Sequence, residues 1–230
     1  MTPPAGAGLL APTTPGASWP TSRELTMWSD DGRRLPLDAS RWHGEPSLLE
    51  RRLLTSLDGP VLDVGCGPGR IVAALDRLGI AALGVDPAPA AVDMARRRGA
   101  EVVQGSVFDP LPDEGGWQSV LLLDGNVGIG GDPVRLLRRC RQLAAPGATI
   151  VAEVEAPGQH TQRCRARLIR GHGRSAWFRW AVVGVDALAG LSAGAGLEVA
   201  NLHHGAGEQR WFAHLVAAGA GTGAGHRGPT

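Results

Sequence analysis

The segment VLDVGCGPGR, at positions 61–70, constrains the fold of this chain more than any other stretch. Its first four residues form an apolar run interrupted by one acid, which predicts a short buried strand, and Arg70 begins a segment with helical spacing. The turn between strand and helix holds three glycines at alternate positions: Gly65, Gly67 and Gly69. A turn without side chains lets a ligand reach the free N–H groups at a helix N-terminus, so we expect a binding site here.

Strand and helix patterns alternate along the chain around this turn. Strands are predicted at Val61–Val64, Ala82–Asp86, Glu101–Gln104, Ser119–Asp124 and Ala148–Val154, and helices at Pro46–Leu57, Arg70–Leu78, Pro89–Arg98, Asp132–Leu143 and Ala187–Ala193. The segments LEVANLHH and QRWFAHLVAA then predict an antiparallel pair of strands. The order predicts an α/β, Rossmann-like, doubly wound fold with a mostly parallel seven-stranded sheet, helices on both faces and an antiparallel last strand.

Residues 156–184 depart from this alternation, because they contain six arginines, two histidines and no acid. Their pattern predicts a β-hairpin inserted after the fifth strand. Arg163, Arg165 and Arg167 occupy alternate positions and therefore share one face of a predicted strand. Two interpretations stay open: these arginines bind an anionic substrate, or they protect a solvated sheet edge from aggregation.

Composition excludes several classes of chemistry. All 23 basic residues are arginine and the chain has no tyrosine, which excludes a lysine Schiff base, a phosphate-loop lysine and a tyrosine base. A net charge of +1 argues against a protein that coats nucleic acid. The three cysteines lie far apart, so we expect reduced thiols, no metal site and a cytoplasmic protein. No stretch is apolar enough to span a membrane, and the N-terminus lacks the pattern of an export signal.

The ends of the chain have low-complexity compositions. Residues 1–22 and 218–230 are predicted to be disordered, because they hold too few large apolar side chains to offset the entropy of ordering. Residues 23–217 are predicted to form one domain that includes the inserted hairpin. Nothing in the sequence indicates an oligomeric state.

Several acids accompany the glycine turn. Asp86 ends the second strand about twenty residues after the glycines, where a carboxylate can accept the hydroxyls of a ribose. Asp63 precedes the glycines and either attracts a cationic group or fixes the loop by accepting its N–H groups. Asp124 ends the fourth strand and Asn126 follows it, which places both opposite the glycine turn in an open parallel sheet. A purely structural turn and a nicotinamide site are the alternatives.

With these residues the chain resembles the class I S-adenosylmethionine-dependent methyltransferases over roughly residues 48–216. VLDVGCGPG resembles the first motif of the family, GVDPAPAAVDMARRRGA the second, VVQGSVFDPLP the adenine segment and LAAPGATIVAEV the strand that ends the core. The resemblance implies S-adenosylmethionine as cofactor. It implies cofactor contacts from Asp63, Gly65, Gly67, Gly69, Asp86, Ser106, Val107 and Asp124. Ser106 stands where the family often has a carboxylate.

The resemblance further implies methyl transfer, and a small-molecule acceptor is expected because DGNVGIGGDP lacks the signature of enzymes that methylate amino groups of nucleic acid or protein. Nucleic-acid and membrane partners are not expected. His160 is the first candidate base, followed by His43, with Asn126 as a further catalytic candidate. Arg163, Arg165 and Arg167 are the candidates for substrate binding, which would make the acceptor anionic. A non-catalytic binding protein and an RNA or protein methyltransferase remain alternatives.

Overall fold

The computed structural model describes residues 25–35, 37–205 and 207–219. The predicted disorder of 1–22, and of the tail from residue 220, lies outside these residues. The described strands are β1 (Thr26–Ser29), β2 (Arg34–Leu35), β3 (Val61–Val64), β4 (Ala82–Asp86), β5 (Val102–Gln104), β6 (Trp117–Leu122), β7 (Ala144–Val154), β8 (Gln162–Arg170), β9 (Gly173–Arg174), β10 (Phe178–Val182), β11 (Leu197–Gly205) and β12 (Arg210–Ala217). The α-helices are α1 (Leu48–Leu54), α2 (Arg70–Arg77), α3 (Pro89–Arg97), α4 (Pro133–Leu143) and α5 (Val185–Gly194). Residues Ala39–His43 and Asn126–Gly131 form 3-10 turns.

The predicted seven-stranded sheet is confirmed, with the strand order β11-β12-β7-β6-β3-β4-β5. Strands β3 to β7 pair in parallel, and β12 is antiparallel to both β7 and β11. The chain runs from β3 outward through β4 and β5 and then returns to the other side of β3 as β6. Ligands of open α/β sheets bind at such a reversal, beyond the carboxyl ends of the strands.

Helices pack against apolar side chains on both faces of this sheet, as predicted. Leu62 and Leu122 belong to a cluster with Leu137 of α4, whereas Val61 packs with Leu75 of α2. Because side chains alternate along a strand, neighbouring residues of β3 reach opposite faces of the sheet. The carboxyl ends of β3, β4 and β6 are thus held in a rigid frame. In the described part of the chain, no helix is long and apolar enough to cross a membrane.

The predicted hairpin is part of a larger second sheet. β8 pairs with β10 and β9 as expected, but it also pairs with β1, which continues into β2. The two N-terminal strands were not predicted, because four and two residues are too short to show a clear alternation. One face of this five-stranded sheet is apolar and buries Met27, Ala166 and Leu168.

Candidate functional site

A first cavity of about 920 Å³, which includes space open to solvent, lies at the carboxyl ends of β3, β4 and β6. Its floor comes from the glycine turn and from acids that end the strands, including Asp63, Asp86 and Asp124. Its cover comes from the apolar face of the second sheet, through Met27, Leu168, Phe178 and Trp180, and from Trp42 of the 39–43 turn. The second sheet therefore covers the reversal point of the first.

The three glycines of the turn adopt left-handed backbone conformations, with φ of +74° at Gly65, +52° at Gly67 and +73° at Gly69. A Cβ atom at Gly65 would lie 2.6 Å from Nδ2 of Asn126, and one at Gly69 would lie 2.7 Å from Cβ of Ala95. A Cβ atom at Gly67 would meet nothing within 4 Å, although Gly67 lines the first cavity. Packing therefore excludes side chains at the outer two positions, and the middle position is open to a ligand.

Asp86 anchors this turn and faces the first cavity. Its Oδ2 accepts the N–H of Gly67 at 3.0 Å, and its Oδ1 accepts the N–H of Ala88 at 2.8 Å. Burial raises the pKa of Asp86 to about 6, although these two hydrogen bonds lower it. A carboxylate oxygen accepts more than one hydrogen bond, so both oxygens can also accept from a ligand.

Asp63 is a buried acid in the lining of the first cavity. Its residue surface is 2% exposed, and among the described residues its carboxylate has no hydrogen bond or ion pair within 4 Å. Burial raises its pKa to about 7, opposed by Arg70, while the charges of Asp124, Asp86 and Glu50 raise it further. Of the two predicted roles, attraction of a cationic group is compatible with this geometry, whereas the hydrogen bonds that fix the turn come from Asp86.

A buried ionic network, which sequence reasoning missed, lies behind the two acids. Arg70 donates to both carboxylate oxygens of Glu50 at 2.7 and 2.8 Å, and to Oδ2 of Asp124 at 2.8 Å. Arg210 donates to both oxygens of Glu153 at 2.7 and 2.6 Å and to Glu50 at 2.8 Å. Both arginine side chains are 4% exposed or less. The network connects α1, α2, β7 and β12 beneath the site.

Asp124 joins the network to the reaction space. Its backbone is left-handed, with φ of +54°, and its N–H donates to Oε2 of Glu153 at 2.7 Å. A non-glycine residue in this conformation costs about 1–3 kcal/mol and persists only where its surroundings hold it. Asp124 lines the first cavity and also a second one.

The second cavity encloses about 1050 Å³, again including space open to solvent. Leu37, Trp42, Asp124 and Trp180 line both cavities, so the two adjoin. The ionisable side chains of its lining are Asp38, Arg41, Asp124, Glu153, Glu155, Glu208 and Arg210. Five carboxylates thus face two guanidinium groups.

Asn126 lies at the site, as expected from its position after the fourth predicted strand, and Trp42 lies there as well. Nδ2 of Asn126 donates to the backbone oxygens of Val64 and Gly65, at 2.9 and 3.0 Å, and thereby holds the turn. Asn126 therefore positions the glycine turn, and its catalytic role stays a prediction. Trp42 forms part of the wall of both cavities.

Four other predicted residues do not line either cavity. Val107 is 3% exposed within the main core, and the Ser106 hydroxyl accepts the N–H of Phe108. His160 is exposed in the loop after β7, and the backbone oxygen of His43 accepts a hydrogen bond from Arg98. Cofactor contacts from Ser106 and Val107 and base catalysis by His160 or His43 therefore stay predictions.

The predicted substrate role of Arg163, Arg165 and Arg167 needs correction. They share a face of β8, as expected, but it is the face opposite to the one through which Leu168 lines the first cavity. Arg163 pairs with Asp132 at 3.3 Å, and Arg165 and Arg167 lie over the ring of Trp177. Strand alternation places the guanidinium groups outside and the apolar residues inside, so this face of β8 is solvated. β8 pairs with β1 on one side and β10 on the other, so it is not the exposed sheet edge that the alternative interpretation assumed.

The site residues that were missed are Glu50, Arg70, Glu153, Glu155 and Arg210. One local signal was available for Glu50, since Ser47 and Glu50 form a capping box at the start of α1. A second signal was Arg70, an arginine directly before the apolar run Ile71–Leu75 of α2. Glu153, Glu155 and Arg210 carry no such local signal. They lie close together because β7 pairs with β12, which begins at Arg210.

Comparison with known proteins agrees with this geometry. Residues 62–152 match the family model described as a methyltransferase domain. A methyltransferase from Bacteroides fragilis, solved with S-adenosyl-L-homocysteine, has a TM-score of 0.70 and 22% identity, over 84% of this chain and 87% of that one. The CcbJ methyltransferase from Streptomyces caelestis has a TM-score of 0.59 and 18% identity, over 77% and 92%. The glycopeptide N-methyltransferase MtfA, solved with sinefungin, has a TM-score of 0.54 and 15% identity, over 76% and 95%.

No curated protein sequence matches the chain. These three solved structures are 15–22% identical to the chain and show its fold. The family model covers the segment from β3 to β7, which contains the glycine turn, Asp86 and Asp124. The predicted resemblance is thus confirmed: residues 62–152 match the family model of a methyltransferase domain, and the chain has the fold of the class I S-adenosylmethionine-dependent methyltransferases.

Proposed function

We propose that the chain transfers a methyl group from S-adenosylmethionine, bound in the first cavity, to a small molecule bound in the second. The observation that carries this proposal is the shared wall of the two cavities, which consists of Leu37, Trp42, Asp124 and Trp180. Direct transfer requires a donor and an acceptor side by side, with the reacting atoms in contact. Two adjoining cavities at the reversal point of the sheet meet this requirement.

The residues of the first cavity fit S-adenosylmethionine. The carboxylate of Asp63, which has no hydrogen bond or ion pair with any described residue, suits the ammonium group of the amino-acid moiety. The space in front of Gly67 lets a ligand touch the backbone. Asp86 ends β4, where a carboxylate can accept ribose hydroxyls. Asp63, Gly65, Gly67, Gly69, Asp86 and Asp124 are therefore the proposed cofactor residues.

When bound, S-adenosylmethionine supplies an electrophilic methyl group on a positively charged sulfur. The chain then has to align the acceptor and to exclude water. The apolar face of the second sheet covers the first cavity through Met27, Leu168 and Phe178, and these side chains offer water no hydrogen-bond partner. Asp124 has a fixed backbone and lines both cavities, so it is suited to orient the two ligands.

A small-molecule acceptor is supported by the second cavity, whose walls come from the 39–43 turn, β10 and the ends of β6 and β7. One structural neighbour, MtfA, is named as a methyltransferase that acts on a glycopeptide and not on nucleic acid. The experiment uses purified protein, S-adenosylmethionine labelled in its methyl group and a cell extract fractionated by size. We expect label in the small-molecule fractions. Label in macromolecules would favour an RNA or protein methyltransferase, and binding without label would favour a non-catalytic protein.

The two raised carboxyl pKa values make cofactor binding depend on pH. Asp63 and Asp86 have pKa values of about 7 and about 6 without ligand. A cationic ligand favours the charged carboxylates, so binding below these values releases protons. The affinity for S-adenosylhomocysteine, whose amino group is cationic, is therefore expected to rise from pH 5 to pH 7 and then to level off. A total gain of at least about tenfold is expected, since one titrating group contributes up to tenfold per pH unit.

Titration calorimetry at pH 5, 6, 7 and 8 measures this dependence. Repeating the titration at pH 6 in two buffers with different ionisation enthalpies counts the released protons. An affinity that is constant over this range, with no proton release, would contradict the proposed contact between the ligand and these two carboxylates.

A further inference from the structure

The carboxylates of the second cavity differ in their partners. Four of them are paired with arginines: Asp38 with Arg41 at 3.1 Å, Asp124 with Arg70 at 2.8 Å, and Glu153 and Glu208 with Arg210 at 2.6 and 3.4 Å. The fifth, Glu155, has no hydrogen bond to its side chain and no ion pair within 4 Å among residues 25–35, 37–205 and 207–219. The wall thus presents one carboxylate that is available to a ligand.

The backbone of Glu155 is held firmly beside the shared wall. Glu155 directly follows β7, its N–H donates to the backbone oxygen of Val183 at 2.8 Å, and its own oxygen accepts the N–H of Val185 at 3.0 Å. These bonds connect the end of β7 to the segment between β10 and α5. The half-buried side chain lines the same cavity as Asp124 and Trp180, which also line the first one.

The charge of this cavity favours a cation. Arg41 is the arginine whose charge acts on Glu155, and it already pairs with Asp38 at 3.1 Å and approaches Glu153 at 3.9 Å. The indole side chains of Trp42 and Trp180 in the same wall are groups that attract cations through their ring faces. An anionic acceptor would meet an excess of carboxylates, whereas an ammonium group would meet a carboxylate without a partner.

The proton affinity of Glu155 is compatible with accepting a proton. Burial raises its pKa above the ordinary value for glutamate, the charge of Glu153 raises it further, and Arg41 lowers it. An exposed glutamate has a pKa well below neutral pH and is a weak base there. A glutamate with a raised pKa is a better base, because its pKa lies closer to the working pH.

We propose that the acceptor is a primary or secondary amine, which binds as its ammonium form beside Glu155, and that Glu155 is the residue that takes up its proton. This inference rests on the proposed function and adds the chemical class of the acceptor.

The proton moves from the ammonium nitrogen to the carboxylate of Glu155, which leaves a lone pair on nitrogen. That lone pair forms the bond to the methyl carbon while the bond between the methyl carbon and sulfur breaks. The electron pair of the broken carbon–sulfur bond stays on sulfur. The product is a methylated ammonium ion, and Glu155 returns its proton to solvent.

The first test measures binding alone, without the methyl donor. Three probes of similar size are used: phenethylamine, which is cationic, 3-phenylpropanoate, which is anionic, and 2-phenylethanol, which is neutral. Their dissociation constants are measured by ligand-detected NMR on the full chain saturated with S-adenosylhomocysteine. We expect the amine to bind at least about tenfold more tightly than either other probe, the size of one charge-assisted contact.

Variant Glu155→Gln keeps the shape of the side chain and removes its charge. We expect it to lose the preference for phenethylamine and to retain the wild-type affinity for S-adenosylhomocysteine. The matched control is Glu198→Gln, an exposed glutamate of β11 outside both cavities, which should keep the preference. Equal or tighter binding of the anion or the alcohol, absence of amine binding, or an unchanged preference in Glu155→Gln would each overturn the proposal.

The second test separates this proposal from the proposed function. Wild-type protein is incubated with labelled S-adenosylmethionine and a mixture of small molecules that has been divided into cationic, neutral and anionic fractions. Label in the cationic fraction, and its loss in Glu155→Gln, is expected. Label only in the neutral or anionic fraction would overturn the amine proposal and leave the methyltransferase function intact. Lack of S-adenosylhomocysteine binding would instead overturn the function itself.

Discussion

Replacing Arg210 by methionine is expected to lower the free energy of unfolding by about 3–5 kcal/mol, the cost of removing one partner from a buried ion pair. Arg210 is 3% exposed and bonds both oxygens of Glu153 and one of Glu50. Methionine fills a similar volume, so most of the loss comes from carboxylates that remain buried without their cation. Urea unfolding followed by circular dichroism measures the effect.

The matched control is Arg77→Met on α2. Arg77 also pairs with a glutamate, Glu45, but both of these side chains are exposed, at 56% and 66%. Exposed ion pairs contribute little to stability, so this variant should unfold at the same urea concentration as the wild type. If both variants lose the same amount, or neither loses any, the buried network is not a source of stability.

Replacing Gly67 by valine is expected to weaken S-adenosylhomocysteine binding by at least about a hundredfold, which corresponds to about 2.7 kcal/mol. The left-handed backbone of Gly67, with φ of +52°, disfavours a branched residue by about 1–2 kcal/mol. Because no atom lies within 4 Å of a Cβ there, the new side chain would extend into the first cavity. Titration calorimetry on the folded variant provides the measurement.

Gly99→Val controls for the backbone strain. Gly99 follows α3, has φ of +84° with no atom within 4 Å of a Cβ, and lies outside the first cavity. It should lose stability to a similar degree but keep the wild-type affinity. An equal loss of affinity in both variants would mean that general destabilisation, not occupation of the cavity, explains the result for Gly67.

Much of the main sheet was predictable because its signals are local. The boundaries of β3 and β4 agree with those predicted from the apolar runs before Gly65 and Pro87, and α4 begins after the predicted cap at Asp132. In each case the residues that end the element adjoin it in sequence. The glycine turn likewise carries its own signal, since three glycines at alternate positions are costly unless a ligand or close packing requires them.

The acceptor side could not be predicted in the same way. The second sheet forms by pairing β8 with β1, about 140 residues earlier in the chain, and neither strand indicates its partner. The alternation of arginines with apolar residues in β8 shows that the arginines share one face of the strand. Without the pairing with β1, it does not show which face is buried. Sequence reasoning therefore named the arginines as candidates for substrate binding. Glu155, which lines the second cavity, directly follows β7 and belongs to no sequence motif.

The location of the methyl donor is the central claim, and a crystal structure of the full chain with S-adenosylhomocysteine tests it most directly. We predict density in the first cavity, with the amino group of the ligand hydrogen-bonded to the Asp63 carboxylate and the ribose hydroxyls at Asp86. The sulfur should face the wall at Asp124, next to a second cavity that the ligand leaves free. Density for the ligand in the second cavity, or a bound ligand that contacts neither Asp63 nor Asp86, would contradict the assignment of donor and acceptor to these two cavities.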